Sequence, residues 1–517
     1  MFTKKLKLLF TVVLLFFTLT ACVSNKSSTS NENEKQSKTD KNLTFLFNFA
    51  SNTLDPNVDE NYTAMRAGVG ETLVKIGDDL KMHPWLAKKW NTTDNGQTWI
   101  FTIKENITFQ NGKKLNASSV KDSLNRTIKE SPAMRNTLKI KTMEAFGQTL
   151  TIKTEEPLPK FPSELVHPST VIVDVDEPNI SKKPIGTGPF VITSFDPGSK
   201  LELMRYKDYW DGKAKLSRAT FAFNEDANAR VSALQSGSAD IIYRPPLESI
   251  STLKNDDSIV IGGVPSVRTH LLLYNWTNKS LKDANIRKAI NALVDQEEIV
   301  KDVMNNQATI AEGPFLSKFP FSPAPSKAEK GITAARKYLE QAGYEIKDGK
   351  ALKDGKALSL SLVTYDSLPE LPLIAQVIQS KAKEVGITIN IKLTDNSDHY
   401  LMEKDDWDLA AYSLITAPRG DASYYLSTVY LPGGALNASR INDKQLTNLI
   451  QKLNATVDEG TRNKLAKEAT AKVNNEMLTS SIVHPKNVVA YKKYVQNWVT
   501  SPTEYYMLTK DLDVNLK

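Results

Sequence analysis

From Leu43 onward the chain switches repeatedly between two hydrophobic periods. Alternating apolar and polar positions predict strands at Leu43–Phe49, Trp99–Lys104, Val267–Asn275, Leu358–Thr364 and Ile387–Leu393, because side chains of an extended chain face opposite sides in turn. Apolar residues three and four apart predict helices at Ala117–Lys129, Ala227–Ser236, Asp283–Val303, Ala334–Ala342, Leu371–Val385, Gln445–Leu453 and Glu459–Asn474. Asn116 is placed to cap the first helix, and Gly237 and Gly343 to close the second and fourth. Gly, Pro and Asn mark the turns between elements, and no internal repeat is present. The pattern predicts a mixed α/β fold. The 517 residues exceed what one core holds, since single cores stop growing near ~250–300 residues, so two large lobes are expected.

The N-terminus departs from this pattern. Lys4, Lys5 and Lys7 precede an apolar run, Leu8 to Leu19, which is too short to span a bilayer and has the length of an export-signal core. The run ends in Leu19-Thr20-Ala21-Cys22, which resembles a bacterial lipobox, where cleavage leaves the cysteine as a lipidated first residue. Cys22 is the only cysteine in the chain. Residues 1–21 are therefore expected to be a signal peptide, with Cys22 as the lipid anchor. Residues 23–42 are polar and without aromatics, and cannot bury enough surface to fold. They form a tether with a reach of roughly 25 Å. No other apolar stretch is long enough for a membrane helix. The expected location is the outer face of a bacterial cell membrane. The net charge is +7, and losing Lys4, Lys5 and Lys7 leaves +4. With no Lys/Arg block, nucleic acid is not an expected partner.

A series of motifs occurs in one colinear order. The first runs through Ala87, Trp90, Asp94-Asn95-Gly96, Thr98-Trp99-Ile100-Phe101, Phe109-Gln110-Asn111-Gly112 and Leu115-Asn116-Ala117-Ser118-Ser119-Val120. Next come Pro184-Ile185-Gly186-Thr187-Gly188-Pro189-Phe190, Tyr209-Trp210-Asp211-Gly212-Lys213 and Ala233-Leu234-Gln235-Ser236-Gly237-Ser238-Ala239-Asp240. Ile286-Arg287-Lys288-Ala289-Ile290 and Asp295 complete the series. Together they resemble the extracellular solute-binding proteins of family 5, the peptide and nickel group of bacterial ABC importers. The resemblance implies a two-lobe clamshell of the type II periplasmic-binding-protein kind, with mixed sheets and a discontinuous first lobe. Lobe one would comprise residues 43–264 and the return 484–517, and lobe two residues 265–483. Ligand would bind in the cleft, and the loaded monomer would dock on a permease served by ATPase subunits.

The fold alone does not name the ligand. In the cleft loop Thr416-Ala417-Pro418-Arg419-Gly420-Asp421, many peptide binders carry an aspartate for the peptide amine. That position falls here on Pro418, followed by Arg419, a cation suited to a carboxylate. A register shift of the alignment would instead bring in Asp421. Nickel–histidine binders of the family are similar in having one histidine near His484, which makes His484 the candidate metal ligand. His167 aligns near a cleft-lining arginine of related nickel binders. Arg66 lies on an early helix that faces the cleft in relatives. Arg268 and His270 share one strand face beside the hinge, and Arg268 is a candidate carboxylate ligand. Tyr424, like Trp276, reads as core or cleft wall, and Tyr424 joins the candidate ligand-binding set. The plainer alternatives are solvated loop or helix charges for Arg66 and Arg419, an ion-pair role for Arg268, and a surface or satisfied core histidine for His484.

No His-x-x-x-His, Cys-x-x-Cys or carboxylate-rich loop is present to cage a bare ion. Any metal would arrive mostly coordinated by a small chelator, so no intrinsic cofactor is expected. The reading is a binding protein for nickel as an amino-acid chelate, with a di- or oligopeptide receptor as the alternative. An enzyme is not expected, because the chain has no Gly-x-Ser-x-Gly elbow, P-loop or dinucleotide fingerprint. If His484 is a ligand, its protonation would make binding acid-sensitive.

Overall fold

A single strand, Thr479–Lys492, organises the molecule. In the computed structural model, which describes residues 40–325 and 328–515, this strand lies in the middle of a 12-stranded mixed sheet. Its first half pairs antiparallel with Arg268–Tyr274 and Ala308–Ile310, and its second half with Ile241–Tyr243 and Ile259–Pro265. Beyond Arg268–Tyr274 the sheet continues through Leu409–Ile415, Ser359–Thr364 and Thr388–Leu393. Beyond Ile241–Tyr243 it continues through Asn42–Phe47, Arg218–Phe223, Lys200–Arg205 and Phe190–Asp196. A separate four-stranded sheet holds Ala87–Thr92, Thr98–Ile103, Thr149–Thr154 and Ile140–Phe146. The predicted signal, Cys22 and the tether before residue 40 lie outside the described residues. From Asp40 onward the chain clusters as one unit. No helix among the described residues is long and apolar enough to cross a membrane.

The predicted elements arise where their local chemistry puts them. Asn116 caps the helix Ala117–Glu130 in a capping box with Ser119, satisfying donors that a helix start leaves open. Gly237 ends Ala227–Ser236 at φ 80°, a left-handed conformation that suits glycine. The helix expected over 283–303 is divided. It runs over Ala284–Ala292, and a new turn then begins at Gln296–Glu298 and continues as π-type turns over Ile299–Val303. The cause is Asp295, whose side chain accepts from Glu298 N at 3.0 Å and so acts as an N-cap where the periodicity suggested helix interior.

Glu71 explains why distant motifs occur together. It is 1% exposed, and it accepts hydrogen bonds from Thr187 Oγ1 at 2.7 Å, Tyr209 Oη at 2.6 Å and Trp210 Nε1 at 2.8 Å. The Gly-Thr-Gly-Pro and Tyr-Trp segments are thus tied to one carboxylate. Gly186 and Gly188 flank Thr187 where the backbone crosses that of Gly68 to Gly70. A Cβ at either would run into the carbonyl oxygen of Val69 or of Gly68.

Candidate functional site

His484 lies on the long strand opposite Thr309, next to the changeover of pairing partners at Pro485. It is 4% exposed. Its hydrogen bonds determine which ring nitrogen carries the proton. Thr269 Oγ1 donates to the Pro314 carbonyl at 2.8 Å, so its one hydrogen is committed. The 3.0 Å contact between Thr269 Oγ1 and His484 Nδ1 therefore requires Nδ1 to donate, and the Arg268 carbonyl 3.4 Å away also accepts from it. Burial, with a smaller contribution from nearby His270, pushes the ring down to about 4 against the opposing bond to Arg268. His484 is thus a neutral imidazole with an unprotonated Nε2. Among the described residues Nε2 has no hydrogen-bond partner, and His484 lines a cavity of about 470 Å³ shared with Asp78, Leu80, Glu312, Phe315 and Lys318. A metal-ligating histidine usually ties its other nitrogen to a backbone or side-chain acceptor in this way.

Arg268 and His270 leave the neighbouring strand on the face opposite Thr269. A chain of hydrogen bonds joins them. Arg268 Nη1 donates to Ser413 Oγ at 3.3 Å, Ser413 contacts His270 Nδ1 at 3.0 Å, and His270 Nε2 contacts Glu370 Oε1 at 3.1 Å. Arg268 Nε is buried with no hydrogen-bond partner among the described residues. Beside it, Arg244 Nη2 pairs with Glu504 Oε1 at 2.7 Å. Burial alone would raise the Glu504 carboxyl, but Arg244, Arg268 and Arg66 hold it below the usual range, so it is ionised.

Arg66 is buried rather than solvated. Its Nε donates to the Glu504 carbonyl at 3.0 Å and its Nη1 to the Asn61 carbonyl at 2.6 Å, and the guanidinium lies 4.6 Å from the Phe47 ring centre. These contacts dock the C-terminal segment and use two of the group's five N–H donors.

Arg419, 8% exposed, forms an ion pair with Glu164, and its guanidinium sits 4.8 Å from the Tyr424 ring centre. Its Nε is also buried with no hydrogen-bond partner among the described residues. His167 packs edge-on to Tyr62 at 5.4 Å, and Tyr62 packs against Tyr505 at 6.2 Å. His167 Nδ1 accepts from Ser169 N at 3.1 Å, which leaves its proton on Nε2. Burial, then Arg419, holds its pKa well below 6.5, so the ring is neutral. The two histidines therefore present opposite chemistry. His167 offers an N–H donor and His484 offers a lone pair. Asp421 is committed to Arg462 at 2.5 Å and to Ser423 N at 2.8 Å.

The structure thus gathers Arg66, His167, Arg419 and Tyr424 around Tyr62, and links Arg268 to them through Arg244 and Glu504. His484 stands on the other face of the sheet. Among the described residues, no hydrogen bond, ion pair or ring contact joins its side chain to an arginine side chain. The sequence reading missed Glu164, Arg244, Glu370 and Glu504. Tyr62, Arg244 and Glu504 adopt φ of 52°, 49° and 65°, strain of about 1–3 kcal/mol each that clusters at functional sites but leaves no mark in sequence. Among the described residues, no group of three or more His, Cys, Asp or Glu is arranged to hold a metal ion.

The chain is similar to known proteins along most of its length. The nickel-binding protein NikA of Staphylococcus aureus is 34% identical over 450 residues, 87% of this chain and 90% of the relative. A nickel ABC transporter structure from Bacillus halodurans superposes with a TM-score of 0.86 at 49% identity, covering 92% of this chain and 100% of the other. The structure of S. aureus NikA in complex with Ni(L-His)2 superposes with a TM-score of 0.75 at 32% identity, again over 92% and 100%. These neighbours have the type II periplasmic-binding-protein-like architecture, and such proteins are non-enzymatic transport components that work with ABC permeases and their ATPases. The pattern of bacterial extracellular solute-binding proteins, family 5, matches residues 81–437, and the chain belongs to that family.

Proposed function

We propose that this chain captures nickel as an amino-acid chelate, such as nickel–histidine, and passes it to an ABC permease. In this reading residues 43–264 with 484–517 form one lobe and residues 265–483 the other. Cys22 carries the lipid that holds the monomer at the outer membrane face. The observation that carries the metal assignment is the His484 ring, neutral, anchored through Nδ1, with an unprotonated Nε2, on a residue that lines the cavity. Similarity to nickel-binding relatives supports the same choice of metal. One protein nitrogen leaves the remaining coordination to the chelator. The unpartnered Nε groups of Arg268 and Arg419 support a carboxylate-bearing ligand at the Tyr62 cluster, on the face of the sheet away from His484, because a buried donor without an acceptor costs about 1–3 kcal/mol. The peptide alternative would call on Asp421 to grip an amine, and Asp421 is already neutralised by Arg462.

The test is calorimetric titration with Ni(II) alone, L-histidine alone, their mixture and a mixture of short peptides. Tight binding of the nickel–histidine mixture, with weak binding of each component, is the expected outcome. Peptide binding with indifference to nickel refutes it.

A further inference from the structure

Glu164 ends the short helix Phe161–Glu164 and is 1% exposed. Arg419 lies 255 residues later in the chain, in the loop that follows the strand Leu409–Ile415. In the lobe division proposed above, the two residues belong to opposite walls of the cleft. Their ion pair is buried on both sides. One Glu164 oxygen meets Arg419 Nη1 and the other meets Lys160 Nζ at 2.9 Å. The Tyr424 ring fixes one side of the guanidinium and Glu164 fixes one tip. The edge that remains is the one carrying the buried, unpartnered Nε.

The loop itself is pressed against the opposite wall. Gly420, at φ 72°, passes so close to Leu80 that an added Cβ would lie 3.2 Å from the Leu80 carbonyl oxygen. Asp421 cannot replace Glu164 as the partner of Arg419, since Arg462 on its own lobe neutralises it. Lys160, four residues before Glu164 on the same lobe, keeps Glu164 paired if Arg419 withdraws. Opening would therefore not strand a buried carboxylate, and a latch that must release requires this.

We infer that Glu164 is a positioning residue that latches the cleft at Arg419, holding the 416–421 loop against the first lobe and turning the Nε edge of Arg419 toward the ligand. The inference rests on the lobe division and the carboxylate reading proposed above. Its consequence is that the ligand-free protein populates a closed form, so that ligand need not supply all of the closing energy.

The experiment compares small-angle scattering of the ligand-free full chain with that of Glu164→Gln, whose side chain keeps the shape and loses the charge. Arg419→Gln tests the pair from the other side should Glu164→Gln fail to fold. A larger radius of gyration in the ligand-free variants is expected. Saturating Ni(II) with L-histidine should return Glu164→Gln to the wild-type radius, at an affinity weaker by about tenfold. Ligand-free scattering curves that superimpose for wild type and both variants overturn the latch. If the nickel–histidine mixture binds neither wild type nor variant, the nickel-chelate reading fails, while the ligand-free comparison still decides the latch.

Discussion

Replacing Glu71 by glutamine isolates the cost of a charge buried beneath the family motifs. Burial raises the Glu71 carboxyl from 4.5 to about 7, against the lowering effect of its hydrogen bonds from Tyr209, Trp210 and Thr187. A group that holds its proton more tightly when folded adds stability that is complete below its unfolded pKa and is lost as pH rises through its folded pKa. For Glu71 that window runs from 4.5 up to about 7, and at about 1.4 kcal/mol per pH unit the contribution is roughly 3 kcal/mol. Its side chain is almost wholly buried, so solvent screening does little to reduce this figure. Glutamine cannot titrate, and the Tyr209 hydroxyl can rotate to accept from its amide. The assay is urea unfolding followed by tryptophan fluorescence at several pH values from about 4.5 to 8, for wild type and Glu71→Gln. Other titrating groups cancel in the difference. Wild type should lose roughly 3 kcal/mol relative to the variant as pH rises across that window. Parallel stability curves would refute the reasoning, because Glu71 would then have the same proton affinity folded and unfolded. Glu71→Ala should be destabilised at every pH, since it leaves three buried donors unpaired at about 1–3 kcal/mol each.

His484→Ala should weaken nickel–histidine binding by at least about tenfold, and affinity equal to wild type removes the ligand role. The structure moves the expected acid sensitivity downward. With His484 at about 4, the affinity difference between wild type and His484→Gln should stay level from pH 8 to about 5 and shrink only below that. Arg268→Ala and Arg419→Ala should each cost about ten- to a hundredfold in affinity, the worth of a charge-assisted hydrogen bond, and unchanged titrations for both sink the carboxylate contacts. Asn116→Ala should lower stability by about 1 kcal/mol in denaturant unfolding, through loss of the cap on Ala117–Glu130, with ligand affinity unchanged.

Much of the fold was legible because its signals are local. Caps such as Asn116 and left-handed stops such as Gly237 act within a few residues, and the helices they bound emerged nearly as expected. The long strand Thr479–Lys492 was not legible as a strand, although it centres the sheet. It is buried along most of its length on both faces, so the period-two alternation is absent, and it carries Pro485 together with the polar residues Ser480, Ser481, His484 and Asn487. The site divides along the same line. Arg268 could be picked out on a recognisable strand, and Arg419 and His484 through resemblance to the family. Their partners Glu164, Glu370, Arg244 and Glu504 come from segments hundreds of residues apart in some cases, and no periodicity links them. Yet it is the partners that assign the roles. His167 and His484 are the same residue type, both largely buried and neutral, but a backbone N–H facing Nδ1 makes one a donor, and a committed threonine hydroxyl makes the other a candidate for metal. The chemistry of this cleft is therefore set by which groups fold against each side chain, and a sequence read residue by residue can nominate a histidine without being able to say which of its nitrogens is free.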